Sequence, residues 1–246
     1  GHGLDQGRDA RHRVRARSTW TASRNRPHAS GSCCAPANRY NFDPFPAKIP
    51  INMHVGCMGL APASHDSVDS IPPMPTGGNL DDKRIGKGTT MYYPVEVAGA
   101  LLSMGDAHAA QGDGELDGTA IETSITGKFK ITVHKKASFS LPWQPILDFP
   151  LGETADTWII HGFTFTDYLE EFAANPGDIY SNSDIDLAMH NAYTQTRKFL
   201  MATYSLTNAE ADTIITQGVD FGMTQLVDGN WGVHAEIPKA MFEAAA

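Results

Sequence analysis

The sequence predicts a mainly β protein that closes with two helices. Residues 128–134, KFKITVH, set Lys128, Lys130, Thr132 and His134 against Phe129, Ile131 and Val133, the two-residue period of a half-buried strand. Glycine and proline recur along the whole chain, 23 and 15 of them, so straight runs are short and turns frequent. From residue 183 the period lengthens: Ile185, Met189, Ala192, Phe199 and Leu200 make a broken apolar stripe at helical spacing.

The first forty residues stand apart. They carry Arg8, Arg11, Arg13, Arg15, Arg17, Arg24, Arg26 and Arg39 against only Asp5 and Asp9, with Leu4 and Val14 as their large aliphatics. Such a composition buries too little apolar surface to order itself. Residues 1–40 therefore read as a disordered basic tail or as an artefactual, wrongly joined start. A transit peptide fits the arginines but not the weak helical spacing, and an RNA-binding arm lacks interleaved aromatics. Residues 41–246 form the domain proper.

From Asn41 to about Pro150 the chain is β-rich. GTAIETSI (118–125) predicts a strand joined to 128–134 by a tight turn at Thr126–Gly127. VEVAGALLSM (95–104) mixes strand and turn signals, and TWIIHGFTF (157–165) predicts another strand. A first helix is expected over 183–204 with Ser183 as N-cap. A second is expected over 206–217, with the capping box Thr207–Glu210 and Leu206 as its staple. DGNWGVHAEIPKAMF (228–242) returns to turn and short strand.

Composition narrows the function. A net charge of -9 argues against nucleic acid and against a basic membrane-binding face, and no run reaches the length of a membrane span. Cys33, Cys34 and Cys57 are too few for a disulfide framework and make no zinc knuckle. With no apolar secretory segment near the start, a reducing, cytoplasmic location is expected. Phosphate-cradling GxxxxGK[ST] and GxGxxG motifs, the GxSxG elbow and HExxH are all missing.

The chemistry concentrates in GDAHAAQGDGE (105–115), which packs Asp106, His108, Gln111, Asp113 and Glu115 among glycine and alanine. The stretch predicts a loop leading into a strand. Small residues around clustered polar side chains suit a concave site. In extended chain Asp106 and His108 share a face and can hold one divalent cation or act as acid and base. Glu115 and Glu122 are candidate general bases, and Gln111 a donor to a carbonyl oxygen. NMHVGCMGLAP (52–62) offers His54 and Cys57, and TGGNLDDKRIGKG (76–88) offers Asn79, Asp81 and Asp82. Each has a plainer reading: aspartate and glycine make turns, His54 sits hydrogen-bonded in a buried strand, and Cys57 is a buried structural thiol.

These blocks, HVGCMGLAP, SIPPMPTGGNLD, GALLSMGDAHAAQGDGELDGTAIE and QLVDGNWGVHAEIPK, resemble the acetamidase/formamidase family from about Tyr40 to the C-terminus. The resemblance implies a β-sandwich core with α+β additions and hydrolysis of short linear amides, formamide and acetamide, to ammonia and carboxylate by a metal-activated water. It implies a divalent metal, zinc first, with Asp106, His108 and His54 as ligands. Glu115, Glu122 and Gln111 fall to catalysis, and Asn79, Asp81 and Asp113 to the substrate, a small amide. Family members extend further at the N-terminus, which implies that 41–246 is an N-terminally truncated domain and that like chains assemble to cover the exposed sheet. Two alternatives stand beside this: a catalytically incomplete, non-enzymatic β-sandwich, and a hydrolase of another small amide or lactam.

Overall fold

A computed structural model of the chain describes residues 47–242 and, before them, the backbone of three strands within residues 12–42. In chain order the strands are β1 (His12–Thr21), β2 (Cys33–Cys34), β3 (Arg39–Phe42), β4 (Ala47–Pro50), β5 (His54–Gly59), β6 (Gly77–Asn79), β7 (Thr90–Val95), β8 (Ser103–Ala110), β9 (Ile121–Glu122), β10 (Thr126–His134), β11 (Leu151–Glu153) and β12 (Thr157–Phe163). Helices α1 (Tyr168–Glu171), α2 (Ile179–Asn182), α3 (Ile185–Tyr204) and α4 (Asn208–Gly218) follow, then β13 (Asp220–Gln225) and β14 (Gly232–Pro238). The expectation of disorder or artefact over 1–40 falls mostly outside the described residues. Among the described residues no helix is long and apolar enough to cross a membrane.

Three antiparallel sheets result. The largest runs β10-β1-β7-β11-β12-β14-β13, a second β6-β5-β8-β9, and a third β2-β3-β4. Strand alternation gives the large sheet two working faces. Met91, Tyr93 and Val95 of β7 and Phe163 of β12 join Val55 and Met58 of β5 and Leu80 and Ile85 of the loop after β6 in one core. Tyr92, Ile160, Ala235 and Ile237, on the other face, pack with Trp143, Phe199 and Leu200 of α3 and Ala211 and Ile215 of α4. Thus one face of the large sheet meets the four-stranded sheet and the other meets the helices. Contact on the helical side is close: a Cβ at Gly162 would lie 2.6 Å from Ala192 Cα.

Several local expectations need correction. Ser103–Ala110 is strand, not loop, because β5 and β9 satisfy its backbone on both sides. Thr126–Gly127 is no hairpin turn: both residues lie in β10, and β9 belongs to the other sheet. Asp117 makes the turn before it, accepting from the backbone N–H of Thr119 and Ala120. The cap of α3 is Asp184, whose carboxylate accepts from the N–H of Asp186 and Leu187; Ser183 instead donates to the Ile179 carbonyl. The Thr207–Glu210 capping box is present as expected, and Leu206 packs against the helical core.

Candidate functional site

Pairing of β5 with β8 sets His54 opposite His108. Both are buried, and their rings stack with centroids 4.9 Å apart. Each is oriented through Nδ1 by a main-chain carbonyl two residues earlier: Asn52 at 2.8 Å for His54, Asp106 at 3.1 Å for His108. Nε2 is thereby directed outward from the strand pair. His108 Nε2 lies 3.1 Å from Glu115 Oε1 and 4.0 Å from Asp81 Oδ1, and His54 Nε2 lies 2.8 Å from Gln111 Oε1. Gln111 also donates to the Asp81 carbonyl, tying the loop after β6 to the end of β8.

Two of the acids arrive on turns, Asp81 and Glu115, and Asp106 from within β8. Asp81, Asp106 and Glu115 all have left-handed backbone, at φ 45°, 53° and 44°. That conformation costs a non-glycine residue of order 1 kcal/mol and is retained chiefly where a side chain must be aimed. The loop carrying Glu115 is pinned by Gly114, whose N–H donates to the Thr224 carbonyl and whose carbonyl accepts from Leu226. The Gln225 side chain accepts from the N–H of Val227 and Asp228, shaping the turn that delivers a fourth carboxylate, Asp228.

Donor atoms of Asp81, His108 and Glu115, all three buried, lie within 4.8 Å of one another. Asp81 Oδ1, Glu115 Oε2 and Asp228 Oδ2 are buried, and with all three groups ionised none of these oxygens meets a hydrogen-bond donor among the described residues. Buried carboxylate oxygens without partners cost several kcal/mol unless a cation or proton occupies the space between them. Gly56 keeps that space open. A Cβ there would collide with Asp81 Oδ1 and Asp106 Oδ2 and lie 2.8 Å from His108 Cε1. Two carboxylates, an imidazole and an open cradle fit a divalent cation of the zinc type. A more exposed set, Asp106, His108 and Glu122, shares the same histidine.

Electrostatics agree with that fit. Burial pushes Asp81 and Asp228 above the usual carboxylate range; a hydrogen bond between the two carboxyls raises Asp81 further and lowers Asp228, and the charges of Glu115 and Asp106 raise both. Burial opposes a charged His108, but the Glu115 hydrogen bond and the charge of Asp106 outweigh it and hold its pKa above the ordinary value. Burial lowers His54. It also pushes the Cys57 thiol up to about 12, with Asp106 and Asp81 adding to the effect. Cys57 therefore stays a thiol and donates to Asn79 Oδ1 at 2.8 Å, the structural role its sequence context suggested.

Of the residues singled out in the sequence, His108, Asp106, Glu115, Asp81, Gln111 and His54 come together. Glu122 joins from β9, exposed and opposite His108. Asn79 is engaged with Cys57. Asp113 is held by Arg84 at 2.8 and 3.0 Å and by Lys83 at 3.0 Å. Sequence reasoning missed Gly56 and Asp228. A D-G-N turn gives no hint of burial, and a strand glycine shows its purpose only when its neighbours are known.

A buried polar row underlies the cluster. His161 of β12 pairs with His234 of β14, and both face the four-stranded sheet. His161 Nε2 meets Asp82 Oδ2 at 2.9 Å, and its Nδ1 meets the Pro150 carbonyl at 3.1 Å. Arg84 joins Asp82 at 3.1 Å. Burial alone would raise Asp82, yet His161, His234 and Arg84 hold it far below the usual carboxylate range. Asp81 and Asp82 thus point to opposite tasks: one faces the cluster, the other anchors the loop.

Comparison with known proteins places the chain in a family. Residues 50–244 match the model of the Acetamidase/Formamidase family. The chain is 45% identical over 58 residues to an acetamidase of Mycolicibacterium smegmatis, a stretch covering 24% of this chain and 14% of that protein. It is 46% identical over 54 residues to a formamidase of Methylophilus methylotrophus, covering 22% and 13%. The matched stretches thus span a small part of these relatives' length. Among solved structures, an acetamidase from Yersinia enterocolitica superposes with a TM-score of 0.73 at 22% identity, over 95% of this chain and 71% of that one. Another, from Bacillus halodurans, gives 0.70 at 23%, over 97% and 76%. At that identity the likeness is one of fold.

Proposed function

The chain belongs to the acetamidase/formamidase family, and from that premise we propose that it hydrolyses the C–N bond of short linear amides, formamide and acetamide, to ammonia and a carboxylate. One observation carries the reading: the donor atoms of Asp81, His108 and Glu115 converge beside carboxylate oxygens that have no partner. A thiol route through Cys57 is not supported, since burial holds that thiol protonated.

Asp81, His108 and Glu115 would hold the cation, zinc being the first choice; bound there it would polarise an amide carbonyl and acidify a water. This assignment brings Asp81 and Glu115 into the donor set, where the sequence had suggested the substrate and base roles. It leaves Asp106 and Glu122 for proton transfer. Asp106 is partly exposed and its Oδ2 is aimed over Gly56 beside Asp81. It takes a proton from the attacking water and returns it to the departing nitrogen, which leaves poorly unless protonated. Gln111 and His54 brace the Asp81 loop, both ends of the Gln111 amide being engaged.

The test is ammonia release from formamide, acetamide and a bulkier amide, in zinc and in chelator. Zinc-dependent release that is lost in Asp81→Asn and His108→Ala supports the reading. Release that persists in chelator, or in both variants, contradicts it.

A further inference from the structure

Arg84 lies three residues beyond Asp81 and is mostly buried, its side chain 15% exposed. Its guanidinium contacts three carboxylates on three segments. Nε donates to Glu236 Oε1 at 2.7 Å, Nη1 to Asp82 Oδ1 at 3.1 Å and Asp113 Oδ1 at 2.8 Å, and Nη2 to Asp113 Oδ2 at 3.0 Å. Nη2 also lies 2.6 Å from Glu236 Oε1. The three partners are not equivalent. Asp82 is the neighbour of Asp81. Asp113 stands two residues before Glu115. Glu236 belongs to β14 of the large sheet. One planar, rigid group therefore spans the two turns that present Asp81 and Glu115 and fixes both to the sheet beneath.

We propose that Arg84 is a positioning residue that sets the separation of the Asp81 and Glu115 oxygens, and through it the affinity of the cluster for a divalent cation. It touches no reacting atom; its effect passes through Asp82 and Asp113. The proposal rests on the reading of Asp81, His108 and Glu115 as the cation-binding set. A guanidinium fork serves here where an ammonium cannot. Lysine supplies a point charge without fixed directions, and satisfies one or two of the three carboxylates but not the bidentate contact to Asp113. Lys83 also reaches Asp113, at 3.0 Å, but as a single point charge on a half-exposed side chain; only the Arg84 fork ties both turns to the sheet, a constraint independent of the ion.

The experiment is calorimetric titration of the full chain with Zn²⁺, each protein first shown to be folded by circular dichroism and its melting temperature recorded. Loss of a residue that orients ligands typically weakens metal binding about 10- to 100-fold. Arg84→Met is expected to show a loss of that size, and Arg84→Lys to lie between it and the wild type. Asp113→Asn frees the arm toward Glu115 and keeps those to Asp82 and Glu236, so it is expected to lose less, about three-fold or more. The double variant Arg84→Met/Asp113→Asn is expected to lose less than the product of the two single losses, because both changes remove the Arg84–Asp113 link and only the Lys83 contact is lost besides. KM for formamide should stay within twofold while kcat falls, whereas a substrate-contacting arginine would raise KM.

An Arg84→Met protein that is folded and binds zinc within twofold of wild type overturns the proposal, as does an additive double variant. Should Arg84→Met fail to fold, Asp113→Asn carries the test, and unchanged zinc affinity there overturns it. A wild type that binds no zinc overturns the reading of the cluster, and the proposal with it. Normal binding by the wild type and by Arg84→Met overturns the clamp alone.

Discussion

Gly56→Ala adds one methyl group to a buried strand and should cost the site far more than the fold. Gly56 is not among the glycines with left-handed backbone, so alanine is conformationally acceptable there. The trouble is space. The new Cβ would sit 2.8 Å from His108 Cε1, where ordinary contact begins at 3.4 Å, and closer still to Asp81 Oδ1 and Asp106 Oδ2. The imidazole must retreat by about 0.6 Å, the difference between those two distances, and the carboxylates by more. A misplacement of about 1 Å at a reacting centre costs on the order of 10²-fold in rate. We expect kcat for ammonia release from formamide to fall roughly 10- to 100-fold and zinc affinity to fall with it. Overpacking of this kind costs about 1–3 kcal/mol, or a melting temperature lower by several degrees for a chain of this size. Gly105→Ala is the control, since a Cβ there meets nothing within 4 Å, and it should change neither quantity. Full activity in Gly56→Ala would show that the space over Gly56 is not where the chemistry occurs.

Asp81→Asn should abolish zinc binding yet leave the zinc-free protein as stable as wild type or more so, because it removes one of several crowded buried acids while asparagine tolerates the left-handed backbone. Melting curves in chelator, with calorimetry beside them, check this, and a zinc-free variant clearly less stable than wild type contradicts it. Asp82→Ala should destabilise by about 3–5 kcal/mol, leaving His161 and Arg84 without their buried partner, as read by urea unfolding. The pH dependence has a definite sign. Because the folded pKa of Asp82 is depressed below its ordinary 3.8, its contribution is fully present above that value and is lost as pH falls through the folded one. Acid unfolding should accordingly be steeper in wild type than in Asp82→Asn; equal slopes would mean that this carboxylate gains nothing from its partners. Gly162→Ala forces β12 away from α3, where the added Cβ meets the Ala192 backbone, and should cost about 3 kcal/mol with the zinc site intact.

What the sequence disclosed depended on how local the cause was. The strand at 128–134, the capping box of α4 and the strand expected over 157–165 arise from neighbouring residues and are present, the last ending at Phe163; the alternation expected in 128–134 is not kept in burial, since Ile131 and Val133 are exposed at 54% and 56%. The β character of Ser103–Ala110 was hidden, because glycine and alanine have no alternation to show and the strand is held by its partners, not by its own propensity. Asp106 and His108 do lie together, but the left-handed backbone at Asp106 breaks the simple two-residue argument that paired them. His108 and Glu115 were legible as a cluster because seven residues separate them. Asp81 was legible as a nearby acid, but its entry into the donor set depends on the loop after β6. Asp228, more than a hundred residues away, depends on β13 closing against the Gly114 loop. His161, His234 and Arg84 were illegible for a related reason: a histidine in an apolar strand looks like any core position until the opposing sheet supplies Asp82.

On the proposed reading, Asp81, His108 and Glu115 hold a divalent cation that the chain uses to hydrolyse short amides. Its most direct test is ammonia release from formamide by the purified, folded chain, titrated with Zn²⁺ from a chelated starting point. Activity is predicted to rise from background and saturate at one equivalent of tightly bound zinc, with no rise in His108→Ala. Ammonia release at full rate in chelator, or a zinc-saturated wild type that releases none, would contradict the claim.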